Sequence, residues 1–165
     1  MKSAIIIRTI LILSIVSLNI GCDQISKQLV RHNISTEESL HFLGNHLMVT
    51  RLENTGAFLS AGDTLSGLSR KIILAILPLA ALAFGLIFIL TRTNISRASV
   101  VGASFVIGGG IGNIFDRMVH GSVTDFLYLH AGWLHTGVFN AADLSILTGS
   151  AILLLHYILN RKSKS

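Results

Sequence analysis

Charge is what this sequence has least of. Asp, Glu, Lys and Arg fill 13% of its 165 positions, about half the share of an ordinary soluble domain. That is too few ionised side chains to keep a folded chain with this much apolar surface in water. Cysteine occurs once, at Cys22, which excludes an internal disulfide and a Cys-based zinc cluster. Proline also occurs once, and 51% of the residues are hydrophobic with a mean hydropathy of +0.68, which excludes a disordered or collagen-like chain. There is no HExxH pair and no GxxxxGK[ST] phosphate loop, and Gly108, Gly109, Gly110 and Gly112 do not fit dinucleotide spacing. Gly102-Ala103-Ser104-Phe105 lacks the last glycine of a GxSG serine-protease motif. The histidines at 32, 41, 46, 120, 130 and 135 are scattered through polar segments, so neither a metal nor a cofactor is expected.

What is present is a set of apolar runs. Ile72 to Leu90 and Ala98 to Phe115 are uncharged for nineteen and eighteen residues, the length that crosses about 30 Å of hydrocarbon at roughly 1.5 Å per residue. Ala4 to Cys22 is interrupted only by Arg8, whose long stem can snorkel to the headgroups. The last run, Leu144 to Asn160, lengthens backward through Asp143 to Val138. The expected fold is an all-α membrane protein, one integral domain over residues 1–165. Its four transmembrane helices are expected near 4–22, 72–90, 98–115 and 138–159, with an extracytoplasmic segment at 32–71. Within that segment, Leu40 to Leu52 around Gly44-Asn45 reads as a short β-hairpin. Pro78 predicts a kink rather than a break.

Charge asymmetry sets the expected orientation. With both termini and the Thr91 to Arg97 loop on one side, that side holds seven cations and no acid, and the other holds six cations and all eight acids. The positive-inside rule makes both termini cytoplasmic. The basic balance therefore reflects topology, and no nucleic-acid partner is expected. A charged start followed by Gly21-Cys22 also has the look of a cleavable lipoprotein signal peptide. Asn19 fits poorly three positions before the cysteine, and cleavage would leave three crossings, so an uncleaved first helix is expected.

The chemistry lies in carboxylates. Asp23, Asp116, Asp125 and Asp143 fall at expected helix ends or in the connection between helices three and four. A carboxylate carried to the bilayer centre costs about 2.5 to 3.5 kcal/mol, so ionisable groups there are functional candidates. Asp125 and Asp143 are joined by a loop containing Gly132, Trp133 and Gly137 that can fold them together. Two such carboxylates share one proton, as in aspartic proteases: the ionised member takes a proton from water while the other polarises the scissile carbonyl. Structural readings stand beside this one. Asn140 and Asp143 have the spacing of an N-cap and an N3 acid, Asp116 and Arg117 can form an interfacial ion pair, and the glycines from 108 to 112 suit either close helix packing or a substrate backbone. A transport or assembly protein using the carboxylates as a proton relay is the rival class. An interaction protein with the aspartates as caps is the second.

Five segments, in order, resemble bacterial lipoprotein signal peptidase, or signal peptidase II. Asp23-Gln24-Ile25-Ser26-Lys27 is similar to D-x-x-[ST]-K, and Glu53-Asn54-Thr55-Gly56-Ala57-Phe58 to the N-x-G segment. The stretch from Gly108 to Arg117 is similar to G-G-x-x-G-N-x-x-D-R, Val123-Thr124-Asp125-Phe126 to V-x-D-F, and Phe139-Asn140-Ala141-Ala142-Asp143 to F-N-x-A-D. The resemblance implies an aspartic endopeptidase of the bacterial cytoplasmic membrane, blocked by globomycin, that cuts prolipoproteins before a diacylglyceryl-modified cysteine. It implies Asp125 and Asp143 as the catalytic pair, with Asp23, Lys27, Asn54, Gly56, Asn113, Arg117 and Asn140 positioning substrate or holding the site. Lipidated signal peptides and membrane lipids are the implied partners, and a monomer is expected. The sequence departs from some members in placing Phe58 directly after Ala57, without a second alanine.

Overall fold

A computed structural model describes residues 2–56 and 67–162. The Ala57-Phe58 departure and the rest of 57–66 lie outside the described residues. Among these, four helices are long and apolar enough to cross a membrane: α1 (Lys2–Asn33), α2 (Gly67–Thr91), α3 (Arg97–Val119) and α4 (Ala141–Lys162).

Helix α1 runs eleven residues past the expected end at Cys22. The charges that seemed to mark its exit do not face water: Asp23 and Lys27, one turn apart, are both fully buried and joined at 2.8 Å. A turn further on, Val30 and Ile34 pack beneath Phe126. In α2 the chain continues helically through Pro78, with a π turn over Ile72–Ile76 in which the Leu77 N–H reaches back to the Ile72 carbonyl. Widening the turn just ahead of a proline accommodates the residue that cannot donate. Helix α4 starts at Ala141, not 138, because Asn140 serves as its cap, its side-chain oxygen accepting the Asp143 N–H at 3.0 Å.

The expected hairpin forms as β1 (Ser39–Phe42) and β2 (Leu47–Asn54), turning through Leu43, Gly44 and Asn45 at positive φ. The segment between α3 and α4, expected as a loop, instead contributes β3 (Val123–Ala131) and β4 (Leu134–His135). These complete an antiparallel sheet in the order β1-β2-β3-β4. Gly121 and Gly132, both at positive φ, bound β3.

Helix α3 is central and contacts the other three helices. Its glycines make this possible: a Cβ on Gly108 would strike Val16 and Asn19 of α1, one on Gly109 the Ala142 carbonyl of α4, and one on Gly110 the side chain of Leu82 in α2. Ile12, Val16, Ile89, Val100 and Ile107 form the buried centre. Ile6, Leu18, Phe84, Leu147 and Leu155 point outward and exposed, as suits a surface solvated by lipid.

Candidate active site

The C-terminal parts of α1 and α3, the N-terminus of α4 and the near ends of β2 and β3 converge at one end of the bundle. Asp125 arrives on β3, side chain buried. Its Oδ1 accepts from Asn140 Nδ2 at 2.6 Å and its Oδ2 from Asn54 Nδ2 at 3.1 Å. Burial pushes its carboxyl up to about 6, against the two amide hydrogen bonds and with help from neighbouring Asp143. Asp143 sits in the first turn of α4, where its Oδ2 accepts the main-chain N–H of Asn140 at 3.2 Å and its Oδ1 accepts Asn113 Nδ2 at 2.8 Å. Asn140 therefore touches both carboxylates, and the capping geometry read from the sequence is present.

Asn113 is held in one orientation by elementary chemistry. Its Oδ1 lies 2.9 Å from Lys27 Nζ and 3.2 Å from Asn140 Nδ2, groups that only donate. The carbonyl must face them, which leaves the amide hydrogens for Asp143.

Behind this layer is a buried charge cluster. Lys27 Nζ is 2.8 Å from Asp23 and 3.1 Å from Asp116. Arg31 Nη2 sits 3.1 Å from Asp116 as an ion pair, although its N–H is not aligned on the oxygen. Two cations thus face two carboxylates, a balance that burial requires. Gln24 Nε2 donates to both acids, and Asp23 Oδ1 accepts the Ala142 N–H at 2.9 Å, fixing the start of α4.

The Asp116–Arg117 pair expected from the sequence does not form. Adjacent residues point about 100° apart on a helix, so Asp116 turns inward to Lys27 and Arg31 while Arg117 turns to the opening. There Arg117 Nη2 donates to the Gly56 carbonyl at 2.8 Å and Nη1 to the Asn113 carbonyl at 3.3 Å; its buried Nε has no partner among the described residues. The Gly56 N–H in turn donates to Asn54 Oδ1 at 3.1 Å. The structure thus gathers Asn54, Gly56, Asn113, Arg117, Asp125, Asn140 and Asp143 around one opening, and sets Asp23 and Lys27 behind it, out of reach of a substrate.

A groove of about 320 Å³ leads from Asn113, Gly110 and Arg117 past Leu82 and Pro78 of α2 and Ile146 of α4. A second, of about 350 Å³, shares Ala81, Leu82 and Val106 with it and continues to Ile95 and Ser99 at the far end of α3. Both are apolar. No three His, Cys, Asp or Glu side chains converge as a metal site among the described residues. Sequence reasoning gave no role to Gln24, Arg31 or Glu53, which brace the site. The signal for Gln24 and Arg31 was their spacing from Lys27 on one helix; Glu53 carried none, since its partners lie on a strand that was not foreseen.

A family model described as signal peptidase (SPase) II matches residues 15–159. The lipoprotein signal peptidase of Solibacter usitatus is 33% identical over 141 residues, 86% of each chain. That of Chlorobium phaeobacteroides is 35% identical over 150 residues, 86% of this chain and 91% of its own. That of Coxiella burnetii (strain RSA 493) is 36% identical over 147 residues, 86% of each. A solved bacterial membrane enzyme superposes with a TM-score of 0.81 at 22% identity, over 93% of this chain and 91% of that one, which shows that the fold is shared.

Proposed function

The chain belongs to the signal peptidase II family, and we propose that Asp125 and Asp143 are the residues with which it cuts. Membership makes it an aspartic endopeptidase that removes signal peptides from prolipoproteins. The observation that carries the assignment is the bridge through Asn140, whose side-chain amide holds Asp125 and whose main-chain N–H holds Asp143.

Burial favours the neutral form of Asp125, which suits it to serve as the acid and leaves Asp143 to serve as the base. Asp143 takes a proton from water as the water oxygen adds to the scissile carbonyl, and Asp125 gives its proton to the carbonyl oxygen. Collapse of the tetrahedral adduct returns that proton to Asp125, and Asp143 delivers its own to the departing amine. Neither step requires a cofactor. Arg117 and the Gly56 segment lie where an unwound substrate strand would pass.

The substrate is a diacylglyceryl-modified prolipoprotein cut before its lipidated cysteine. Its helical signal peptide lies in the apolar groove over α3, between α2 and α4, and unwinds at the site because peptide groups in hydrocarbon must otherwise stay paired within the helix. The protein resides in the bacterial cytoplasmic membrane with both termini cytoplasmic. The supporting geometry is that the site residues cluster at the bundle end opposite the N-terminus of α1 and the cation-rich 91–97 connection. The sheet then lies on the outer side. The protein acts as a monomer in this reading, and membrane lipids cover the exposed apolar helix faces.

The test is cleavage of a diacylglyceryl prolipoprotein by the purified protein in detergent, alongside Asp125→Asn and Asp143→Asn of equal folded yield. Signal peptide release by the parent and by neither variant is expected. Activity surviving in a variant removes that aspartate from the dyad. An inactive parent with aspartate-dependent ion flux would instead favour the relay.

A further inference from the structure

Glu53 lies on the face of β2 turned away from Asp125. Its register partner is Thr124, beside Asp125 on β3. The Glu53 carboxylate accepts the Thr124 hydroxyl at 3.0 and 3.1 Å and the Ser122 hydroxyl at 2.7 Å, and Arg51 Nε lies 3.1 Å from it. Thr124 Oγ1 accepts Arg31 Nε at 2.7 Å, and its main-chain N–H donates to Asp116 Oδ2 at 3.3 Å. Arg51 also donates to the Arg31 carbonyl near the end of α1 at 3.2 Å. The Thr124 hydroxyl is thereby engaged both as donor and as acceptor.

This clasp sits where the sheet needs one. The β2–β3 ladder is regular from Leu47 to Val49 and shifts register before Leu52, so two residues of β2, Thr50 and Arg51, stand opposite the single Phe126. No tight turn joins β2 to β3, so beyond that bulge the register depends on side-chain contacts. A slip of one residue there would carry Asn54 to the wrong face, away from Asp125, and swing the Glu53 carboxylate toward it. A carboxylate spanning Ser122 and Thr124, two positions apart on one face, can do so in one register only.

We propose that Glu53, acting through Thr124 and Ser122, is a positioning residue that locks the β2–β3 register and so aims Asn54 at Asp125. The inference rests on Asp125 being a catalytic carboxylate. Glu53 does not line the groove, so its loss affects the chemical step and leaves substrate binding in place.

The experiment uses the full-length protein in detergent with a lipidated prolipoprotein substrate, comparing Glu53→Ala, Thr124→Val, their double variant, Thr124→Ser and Asp125→Asn. Glu53→Ala and Thr124→Val are each expected to lower kcat about tenfold to a hundredfold with KM within about twofold of the parent. The double variant is expected to be no worse than the poorer single one, and Thr124→Ser, which keeps the hydroxyl, to restore parental kcat. If Glu53→Ala gives little folded protein, Ser122→Ala, which removes one arm of the clasp, should show the same split in milder form. Parental kcat in Glu53→Ala, a rise in KM alone, or multiplicative losses in the double variant would overturn the proposal. These outcomes bear on Glu53 only when Asp125→Asn is inactive; an active Asp125→Asn would overturn the catalytic assignment itself.

Discussion

Asn140 and Asp143 exchange two hydrogen bonds across the first turn of α4. The Asn140 N–H donates to the Asp143 carboxylate at 3.2 Å, and the Asp143 N–H donates to the Asn140 side-chain oxygen at 3.0 Å. This is a reciprocal cap in which one member is also a proposed catalytic acid, and the other reaches Asp125 with the amide it has left over. Capping and catalysis therefore separate by substitution. Asn140→Ser keeps a capping oxygen and loses the amide, so thermal stability in detergent should stay within about 1 kcal/mol while peptide release falls steeply. Asn140→Ala loses both, adding about 0.5 to 2 kcal/mol of destabilisation.

The raised carboxyl of Asp125 gives stability a pH dependence of known sign. Between 3.8 and about 6 the folded chain holds a proton that the unfolded chain has released, so this group makes stability fall as pH rises through that window. The full interval corresponds to at most about 3 kcal/mol. Asp125→Asn removes the slope. Thermal unfolding from pH 4 to 7 should show the variant gaining on the parent as pH rises, with the difference levelling off above about pH 6 to 7; a parallel pair of curves would contradict the assignment.

Lys27→Met should be among the most damaging single changes away from the opening. It leaves Asp23 without a cation and Asp116 with Arg31 alone, and stranding a buried charge costs about 3 to 5 kcal/mol. Adding Asp23→Asn should recover part of the folded yield. Activity should not return, because Asn113 Oδ1 loses the Lys27 ammonium and keeps only the Asn140 amide to hold it against Asp143.

Two neighbouring glycines should behave differently. A Cβ on Gly109 meets the Ala142 main-chain oxygen, the Ser145 Cβ and the Ile146 Cγ1 of α4, and the main-chain oxygen can yield only by helix separation, so Gly109→Ala should lower stability by about 1 to 3 kcal/mol. A Cβ on Gly110 meets only the movable side chain of Leu82. Gly110→Ala should fold and raise KM, since Gly110 and Leu82 both line the groove that ends at Asn113 and Arg117.

The four apolar runs were legible because hydropathy over about twenty residues measures what hydrocarbon selects. Their ends were less so. Asp23 and Lys27 look like a membrane boundary in one dimension, yet the i,i+4 spacing that buries them together was present to be read. The Asn140–Asp143 cap was legible for the same reason, being local. Strand β3 was missed because it is half buried and irregular in pattern, although β-branched and aromatic residues between Gly121 and Gly132 were a usable sign. The partners of Asp116 were out of reach: Lys27 and Arg31 lie far away in sequence, and only packing chooses them over Arg117.

The buried pair in α1 bears on how the protein is made. Synthesis delivers α1 before α2, α3 and α4, so Asp23 and Lys27 are made before the helices that come to cover them. One turn apart, they neutralise each other as soon as that helix forms. The remaining oxygen of Asp23 waits for an N–H 119 positions downstream. The site is thus completed by α4, made after α1 to α3, and a chain interrupted ahead of α4 lacks Asn140 and Asp143 altogether.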